Sequence, residues 1–457
     1  MPCASKPCQV LACLMVRRWR RSGRDRWRHE PATTCQEKDS FMQPRKNDVI
    51  IIGGGVIGVS VAYYAADLGA SVLVIEKNHI GAGSSCGNAG LLVPSHCNPL
   101  PTPGVVARGI RYLFNPEGPF YIHFRADLEL VRWLWRFYRF CNAKHFYHCV
   151  GIFSKMGRES LQLHRQLADL GGHRYQFRQD GMLNLYITDQ AFQEAREDVV
   201  RVKSCGEHSV ILDADEAREL EPAAGVRVVG GILNKIDGCI DPLEFVKWLA
   251  EKAREKGVRF LVDTEVFWLK TDRRRVSKVV TTRGDFEAGQ VVLATGAWLP
   301  LLAAELEAKI PIEAAKGYSM TFAKTPGAPQ IPLILEEARV AVTPFADALR
   351  LAGTLELSGL DLAIGRRRLK AIESETYRYL PKLGGLEIRE IWRGLRPCTP
   401  DGLPVIGRLR PWSNVFVAGG HATKGMSLGP VTGKYLSQML AGESIGMLER
   451  SLSPNRF

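Results

Sequence analysis

The sequence predicts an α/β protein built around a buried parallel sheet, and three stretches carry that prediction. DVIIIGGGVIGVSVAYYAADLGASVLVIEK, residues 48–77, reads as strand, glycine turn, helix and strand. FEAGQVVLATGAW, residues 286–298, gives a second buried strand that ends in Thr295 and Gly296. NVFVAGGHATKGMSLGPVTGKYLSQML, residues 414–440, repeats the strand, glycine turn and helix. A length of 457 residues suits two or three domains. With these stretches at both ends and in the middle, and no long linker between them, the domains are discontinuous.

In the first stretch, Val49 to Ile52 is an unbroken apolar run, as in a parallel strand buried on both faces. Gly53 makes the tight turn, Gly55 lets backbone N–H groups approach a pyrophosphate, and Gly58 with Ala62 allows close helix–strand packing. The helix N-terminus favours the diphosphate charge, and Gly69 closes the helix. Glu76 follows Gly58 by eighteen residues, where it accepts hydrogen bonds from ribose hydroxyls and disfavours a 2′-phosphate. A GxGxxG alone is weak, but the whole unit predicts dinucleotide binding.

The next stretch, GAGSSCGNAGLL over 81–92, suits a close backbone wrap around a flat ligand, with Ser84, Ser85, Asn88, Ala89 and Gly90 as its contacts, although taken alone it reads better as a flexible loop. Residues 236–260 hold a helix with Asp241 as N-cap, Pro242 at the first position, Glu244 at the third and Gly257 at its close. Strands follow at 258–262 and from Val266. In the last stretch, Gly420, His421, Gly425 and Met426 place backbone where the far end of a dinucleotide would bind.

Composition excludes several classes. The chain is 46% hydrophobic and 24% charged, which excludes global disorder. No run reaches the roughly 18 apolar residues of a membrane-spanning helix. Of the net charge of +13, +7 belongs to residues 1–46, so the body is only mildly basic and no nucleic-acid partner is expected. That basic leader is expected to be disordered, with Met42 as a candidate start of the compact chain. Eleven cysteines without a CxxC pair argue against a zinc ribbon. No HExxH or serine-hydrolase pattern occurs, and no metal site is expected.

Taken together, GGGVIG…E, SSCGNAG, IDPLEFVKWLAEKAREKG, ATGAW, KGYS, WRGLRPCTPDGLPVIG and GHATKGMSLGPVTG resemble the FAD-dependent D-amino-acid dehydrogenase and glycine/D-amino-acid oxidase family over about 47–445. The resemblance implies a discontinuous Rossmann-like FAD-binding domain from 47–100, 237–308 and 397–447. It implies a substrate domain with a large antiparallel sheet from 101–236 and 309–396, and leaves 448–457 as a C-terminal tail. It implies oxidation of the α-carbon–nitrogen bond of a D-amino acid or cyclic imino acid, with hydride passing to FAD and the imino product hydrolysing to a 2-oxo acid. The alternatives are an FAD-binding subunit of a heteromeric amine, proline or sarcosine dehydrogenase, and an oxygen-using glycine or sarcosine oxidase.

By the same resemblance Arg396 anchors the substrate carboxylate, as a planar guanidinium fork suits, and Tyr318 hydrogen-bonds carboxylate or amine. Lys316 is open to two readings, a place near the flavin or a solvated charge at a strand end, and Arg393, three residues before Arg396, is expected on the other face of the strand. Lys77, Val266, Thr295 and Gly296 join the cofactor contacts. Gly394 occupies the place where sarcosine oxidases carry a flavin-linking cysteine, so FAD is expected to be non-covalent. The electron acceptor is expected to be a quinone or an electron-transfer protein, and the location cytoplasmic, peripheral on the inner face of a membrane. Residues 127–146 alternate arginines with aromatics and are open to two readings. One is a basic amphipathic helix touching a membrane; the other, favoured by its apolar character nearly all round, is a helix buried on most sides.

Overall fold

A computed structural model describes residues 47–113, 118–123, 125–201 and 208–457. The basic leader, residues 1–46, lies outside the described residues. The strand Asn47–Ile52 stands inside an eight-stranded sheet, parallel to Val72–Ile75 on one side and to Gly284–Leu293 on the other. Arg259–Leu261 extends the sheet beyond Val72–Ile75, and Val415–Gly419 runs parallel to the end of Gly284–Leu293. The strands Val266–Asp272 and Arg275–Thr281 add an antiparallel flap to the first half of Gly284–Leu293. Ile50 and Ile51 are wholly buried, Ile51 under the helical side and Ile50 under the antiparallel flap with Leu299 and Ala303.

The helix Val56–Asp67 is apolar all round because it is covered twice, by this sheet and by the helix Gly425–Leu440. At their crossing a Cβ on Gly433 would stand 2.6 Å from the Ser60 backbone, so only glycine allows the approach. Pro430 has no N–H and leaves the Met426 carbonyl without its helical donor. The long helix Ala143–Gly171 answers this: His164 Nε2 lies 3.1 Å from that oxygen, and Ser160 donates to the Ser427 carbonyl at 2.6 Å. This helix therefore packs with the nucleotide-side core through Ile152, Phe153, Met156 and Leu167, although the sequence placed 101–236 in the substrate domain. Its amphipathic stripe signals that one face is covered, but not by which sheet.

The second sheet has nine strands. Its path runs Ile388–Cys398, Glu313–Ala323, Ala348–Leu357, Val340–Pro344, Leu333–Leu335, Met182–Tyr186, Gly230–Asn234 and Ser209–Asp213, with Phe120–Ile122 beside Ala348–Leu357. Pairing is antiparallel except at two contacts, Leu333–Leu335 with Met182–Tyr186 and Phe120–Ile122 with Ala348–Leu357. One face packs Tyr318, Met320, Phe322 and Leu351 with Leu369 and Ile372 of the helix Arg366–Tyr379.

Two expectations need correction. The helix Leu128–Phe140, N-capped by Asp127, buries only Leu130 and Trp133. Leu128, Val131, Trp135 and Tyr138 are 73%, 59%, 58% and 65% exposed, so the favoured reading of a mostly buried helix fails. Apolar residues around a helical wheel do not by themselves supply a cover. The C-terminal residues 448–457 are no loose tail either. Leu452 is wholly buried, and Arg456 forks onto Asp401 with bonds of 2.7 and 3.0 Å.

Candidate active site

The parallel strands Asn47–Ile52, Val72–Ile75, Gly284–Leu293 and Val415–Gly419 end together, and Gly53, Glu76, Thr295 with Gly296, and Gly420 follow those ends. Ligands of open α/β sheets bind beyond such carboxyl ends. Gly53 has φ +113°, and a Cβ on Gly58 would lie 1.9 Å from the Gly53 carbonyl oxygen, so both positions require glycine. Gly55 N-caps the first helix without a side-chain acceptor. Ser85 Oγ takes the Val56 N–H at 3.0 Å, while the helix itself offers no acceptor to the next amides of its first turn. Glu76 is held by the Gly54 and Asn78 amides at 2.7 and 2.9 Å, one on each oxygen. A carboxylate oxygen has a second lone pair, which leaves acceptor capacity for hydroxyls. Lys77 pairs with exposed Glu265 at 2.7 Å, and Val266 begins the neighbouring strand.

A cavity of about 1660 Å³ lies between the loop 81–92, which follows Glu76 in the chain, and the nine-stranded sheet. Ser84, Asn88 and Ala89 of the loop 81–92 line it together with Arg396, Trp392, Leu355 and Leu357 of the nine-stranded sheet. Its volume exceeds the roughly 300–1,000 Å³ of a single small-ligand site. The loop is fastened to the sheet at several points. Ser84 donates to the Leu395 carbonyl at 2.6 Å, Thr343 to the Ala89 carbonyl at 2.7 Å, and Arg350 to the carbonyls of Cys86 and Asn88 at 3.0 and 2.8 Å. Gly90 has φ +75°, with a Cβ position 2.2 Å from the Ile240 carbonyl oxygen.

Arg396 is one of the cations that line this cavity. Its Nη1 donates to the Thr354 carbonyl at 2.7 Å, and no carboxylate among the described residues pairs with it. Burial pulls its pKa below the ordinary arginine value, but arginine starts so high that it stays charged near neutrality. Thr354 has φ +66°, a strained conformation for a β-branched residue, at a register shift where Lys316 pairs with Glu356 but Tyr318 with Gly353. That bulge aims the Thr354 carbonyl at the guanidinium.

The structure does not bring Tyr318 to the cavity. The register pairs Arg396 with Ala315 and Tyr318 with Arg393, so side-chain alternation sends Arg396 and Tyr318 to opposite faces. The Tyr318 hydroxyl donates to Glu356 at 2.8 Å and accepts from the Gly365 amide at 3.3 Å, inside the far core. Lys316 shares that face, pairs with Asp361 at 2.6 Å, and does not reach the cavity. Arg393 lies on the same far side, bonded to the Leu362 carbonyl.

His421 is buried between strand and helix, with Nε2 2.9 Å from Thr432 Oγ1. Burial lowers its pKa to about 3, so the ring is neutral. Gly425 and Met426 begin the last long helix, whose N-cap, Lys424, bonds the His96 carbonyl and lines the cavity. Sequence reading gave no role to Arg350, Trp392, Thr354 or Lys424. Trp392 and Lys424 had a signal, as members of the WRGLRP and GHATKG stretches.

A flavin dinucleotide fits this arrangement on the structure's own terms. At the helix N-terminus the Cβ position of Gly55 meets only Ser85 Oγ, at 3.4 Å, and the buried Thr295 hydroxyl and His421 Nδ1 have no protein partner. Similar proteins agree. Residues 48–439 match the family model described as FAD dependent oxidoreductase. A D-amino acid dehydrogenase of Vibrio atlanticus is 32% identical, over 90% of this chain and 100% of that protein. One of Granulibacter bethesdensis is 31% identical, over 90% and 99%. Among solved structures, glycine oxidase of Geobacillus kaustophilus superposes with a TM-score of 0.74 at 23% identity, over 90% of this chain and 99% of that one. L-proline dehydrogenase of P. horikoshii gives 0.71 at 25% identity, over 91% and 98%. With the cradle, the strand ends and nearly the whole compact chain in agreement, the protein is a member of the FAD dependent oxidoreductase family.

Proposed function

We propose that the protein oxidises the α-carbon–nitrogen bond of a D-amino acid, or of a cyclic imino acid such as D-proline, to an imino acid that water converts to a 2-oxo acid. The observation that carries this is Arg396, a cation at the cavity wall with no carboxylate of its own. A ligand carboxylate completes it, and a bidentate fork sets the orientation of the α-carbon. Full-length likeness to D-amino acid dehydrogenases supports the D configuration. FAD, when bound, supplies the hydride acceptor.

The chain's own residues position and exclude. Thr354 fixes the guanidinium through its carbonyl. Leu355, Leu357, Phe120 and Phe137 give the cavity apolar walls that keep water from the reacting carbon. For the cofactor, Gly53, Gly55 and Gly58 take the diphosphate and Glu76 the ribose, with Lys77 and Val266 beside it. Ser84, Ser85, Asn88, Ala89 and Gly90 wrap the flavin, and Thr295, Gly296, Gly420, His421, Gly425 and Met426 border it. Gly394 leaves no thiol for a covalent link at its position. The two sheets would then be two domains, the FAD-binding one from 47–100, 237–308 and 397–447.

The acceptor in this reading is a quinone or an electron-transfer protein at the cytoplasmic face of a membrane. Support comes from the helix Leu128–Phe140, which carries Leu128, Val131, Trp135 and Tyr138 outward with exposed Arg132. Arg139 lies over the Trp135 ring at 4.9 Å. Such a face suits an interfacial contact, and no helix among the described residues is long and apolar enough to cross a membrane. The test is a screen of D- and L-amino acids with a dye acceptor, run beside oxygen uptake. D-amino acids turning over with the dye and little peroxide are expected. Turnover of L-isomers alone, or glycine oxidation with stoichiometric peroxide, overturns the reading.

A further inference from the structure

The nine-stranded sheet holds the loop 81–92 by its carbonyls, and one buried cation takes two of them. Register sets Arg350 of the strand Ala348–Leu357 opposite Thr321, on the sheet face that carries Gly317, Ala352 and Arg396. Arg350 is 9% exposed. Its Nε donates to Thr321 Oγ1 at 3.0 Å, and its Nη1 to the carbonyls of Cys86 and Asn88 at 3.0 and 2.8 Å. The carboxylate of Glu390 stands 3.6 Å from Nη2 and is half exposed.

Burying a guanidinium costs desolvation, and a hydroxyl suffices to fasten one carbonyl, as Thr343 does for Ala89 at 2.7 Å. What the guanidinium adds is a rigid plane that holds two carbonyls of one loop at once. A trans peptide is planar, with its N–H opposite to its carbonyl. Holding the Asn88 oxygen therefore turns the Ala89 N–H away from Arg350.

That N–H has no acceptor among the described residues. The peptides on either side of it are occupied. The Gly87 N–H is turned to the Cys86 sulfur, and the Gly90 N–H donates to Asn88 Oδ1 at 2.8 Å. Ala89 itself lines the cavity. The loop thus keeps one amide unpaired and fixed in direction, in a residue that faces the ligand space.

We propose that Arg350 is a positioning residue: through the Cys86 and Asn88 carbonyls it aims the Ala89 amide at an acceptor atom on the ring edge of the bound flavin. This rests on the reading of 81–92 as the segment that wraps the flavin. Hydrogen bonds to a flavin ring tune its electronics. A donor at the ring edge strengthens as the ring takes up electrons, so the clamp favours reduced over oxidised cofactor.

Hydrogen exchange of residues 81–92 in the wild type, without and with FAD, tests the wrap by itself. Slower exchange with FAD is expected; no change removes the loop from the cofactor, whatever Arg350 does. The clamp is tested by FAD affinity and midpoint potential. Arg350→Met keeps the reach of the side chain without its donors, and should weaken oxidised FAD about tenfold. Reduced FAD should weaken about tenfold more, which lowers the two-electron potential by about 30 mV. Arg350→Lys keeps the charge without the plane and should lose about threefold of the preference for reduced FAD. The lysine variant decides the matter if the methionine variant does not fold, and a wild-type preference in it overturns the proposal. Equal weakening of oxidised and reduced FAD, or a lower urea midpoint with both affinities unchanged, makes Arg350 a structural fastening and overturns it too.

Discussion

Where the parallel strands end, the chain offers backbone to the site; where the antiparallel strands face the cavity, it offers side chains. Around Gly53 and Gly58 what matters is the absence of a Cβ and the direction of amides, and Glu76 is itself oriented by two amides. On the nine-stranded sheet the same cavity meets Arg396 and Trp392, whose positions depend on the strand beside them. A backbone site is fixed by local spacing. A side-chain site is fixed by register, and one bulge at Thr354 is part of that register.

The sharpest break of this comparison is Gly58→Val. Its Cβ would stand 1.9 Å from the Gly53 carbonyl oxygen, so the turn and the helix cannot both keep their places. The purified variant is expected to be colourless, with near-native far-UV circular dichroism and FAD affinity weaker by about two orders of magnitude or more. A yellow variant with ordinary FAD affinity shows that the backbone cradle does not hold the cofactor.

Arg396→Ala is the counterpart on the side-chain sheet. It removes the charge-assisted partner of a desolvated carboxylate, which costs about 3–5 kcal/mol in kcat/KM, or two to four orders of magnitude. FAD content should stay near wild type, because the cradle is elsewhere. Arg396→Lys should recover only part of the loss, since the ammonium lacks the fork. A loss under about threefold with a confirmed substrate removes Arg396 from the site.

The contrast explains what the sequence could convey. The turn at Gly53 and the close approach at Gly58 were legible because they follow from a spacing within one supersecondary unit. Arg396 and Tyr318 both stood as site candidates on their motifs, yet alternation and register put them on opposite faces. Neither the facing strand nor the bulge is written near either residue. The helix Leu128–Phe140 misled for a related reason, since a wheel of apolar residues does not reveal what covers it. Trp392 was visible as part of a motif, but its contacts join Gly394 of its own strand to Gly87 of a loop distant in sequence.

Acid stability sharpens the comparison at the junction of strands and helices. His164 and His421 are buried and neutral, with pKa values lowered by burial to about 4 and about 3. An unfolded histidine takes a proton near pH 6.5, so the unfolded state binds more protons than the fold below that pH. Stability is therefore fully present above about 6.5 and falls as the pH drops toward 4. Each ring contributes up to about 1.4 kcal/mol per pH unit, near 2 kcal/mol at pH 5. Urea unfolding at pH 7 and pH 5 should show this loss, and His421→Gln should reduce it by one histidine's share. An unchanged pH slope in that variant means the ring is solvated.

The smallest expected effect tests the opposite face. Tyr318→Phe removes a hydroxyl that donates to buried Glu356 and accepts from the Gly365 amide. It leaves the carboxylate with His123 Nε2 at 3.2 Å and Lys316 Nζ at 3.8 Å. Loss of one buried partner costs about 1–3 kcal/mol of stability, read as a lower urea midpoint with an unchanged slope. Because the phenol faces the far core and Arg396 the cavity, kcat/KM should stay within about twofold and FAD content should not change. The carboxylate anchor does not pass through this cluster, since Arg396 is held by Thr354 instead. A drop of tenfold or more in kcat/KM at full FAD occupancy would return Tyr318 to the site and show that the sheet's two faces are coupled in catalysis.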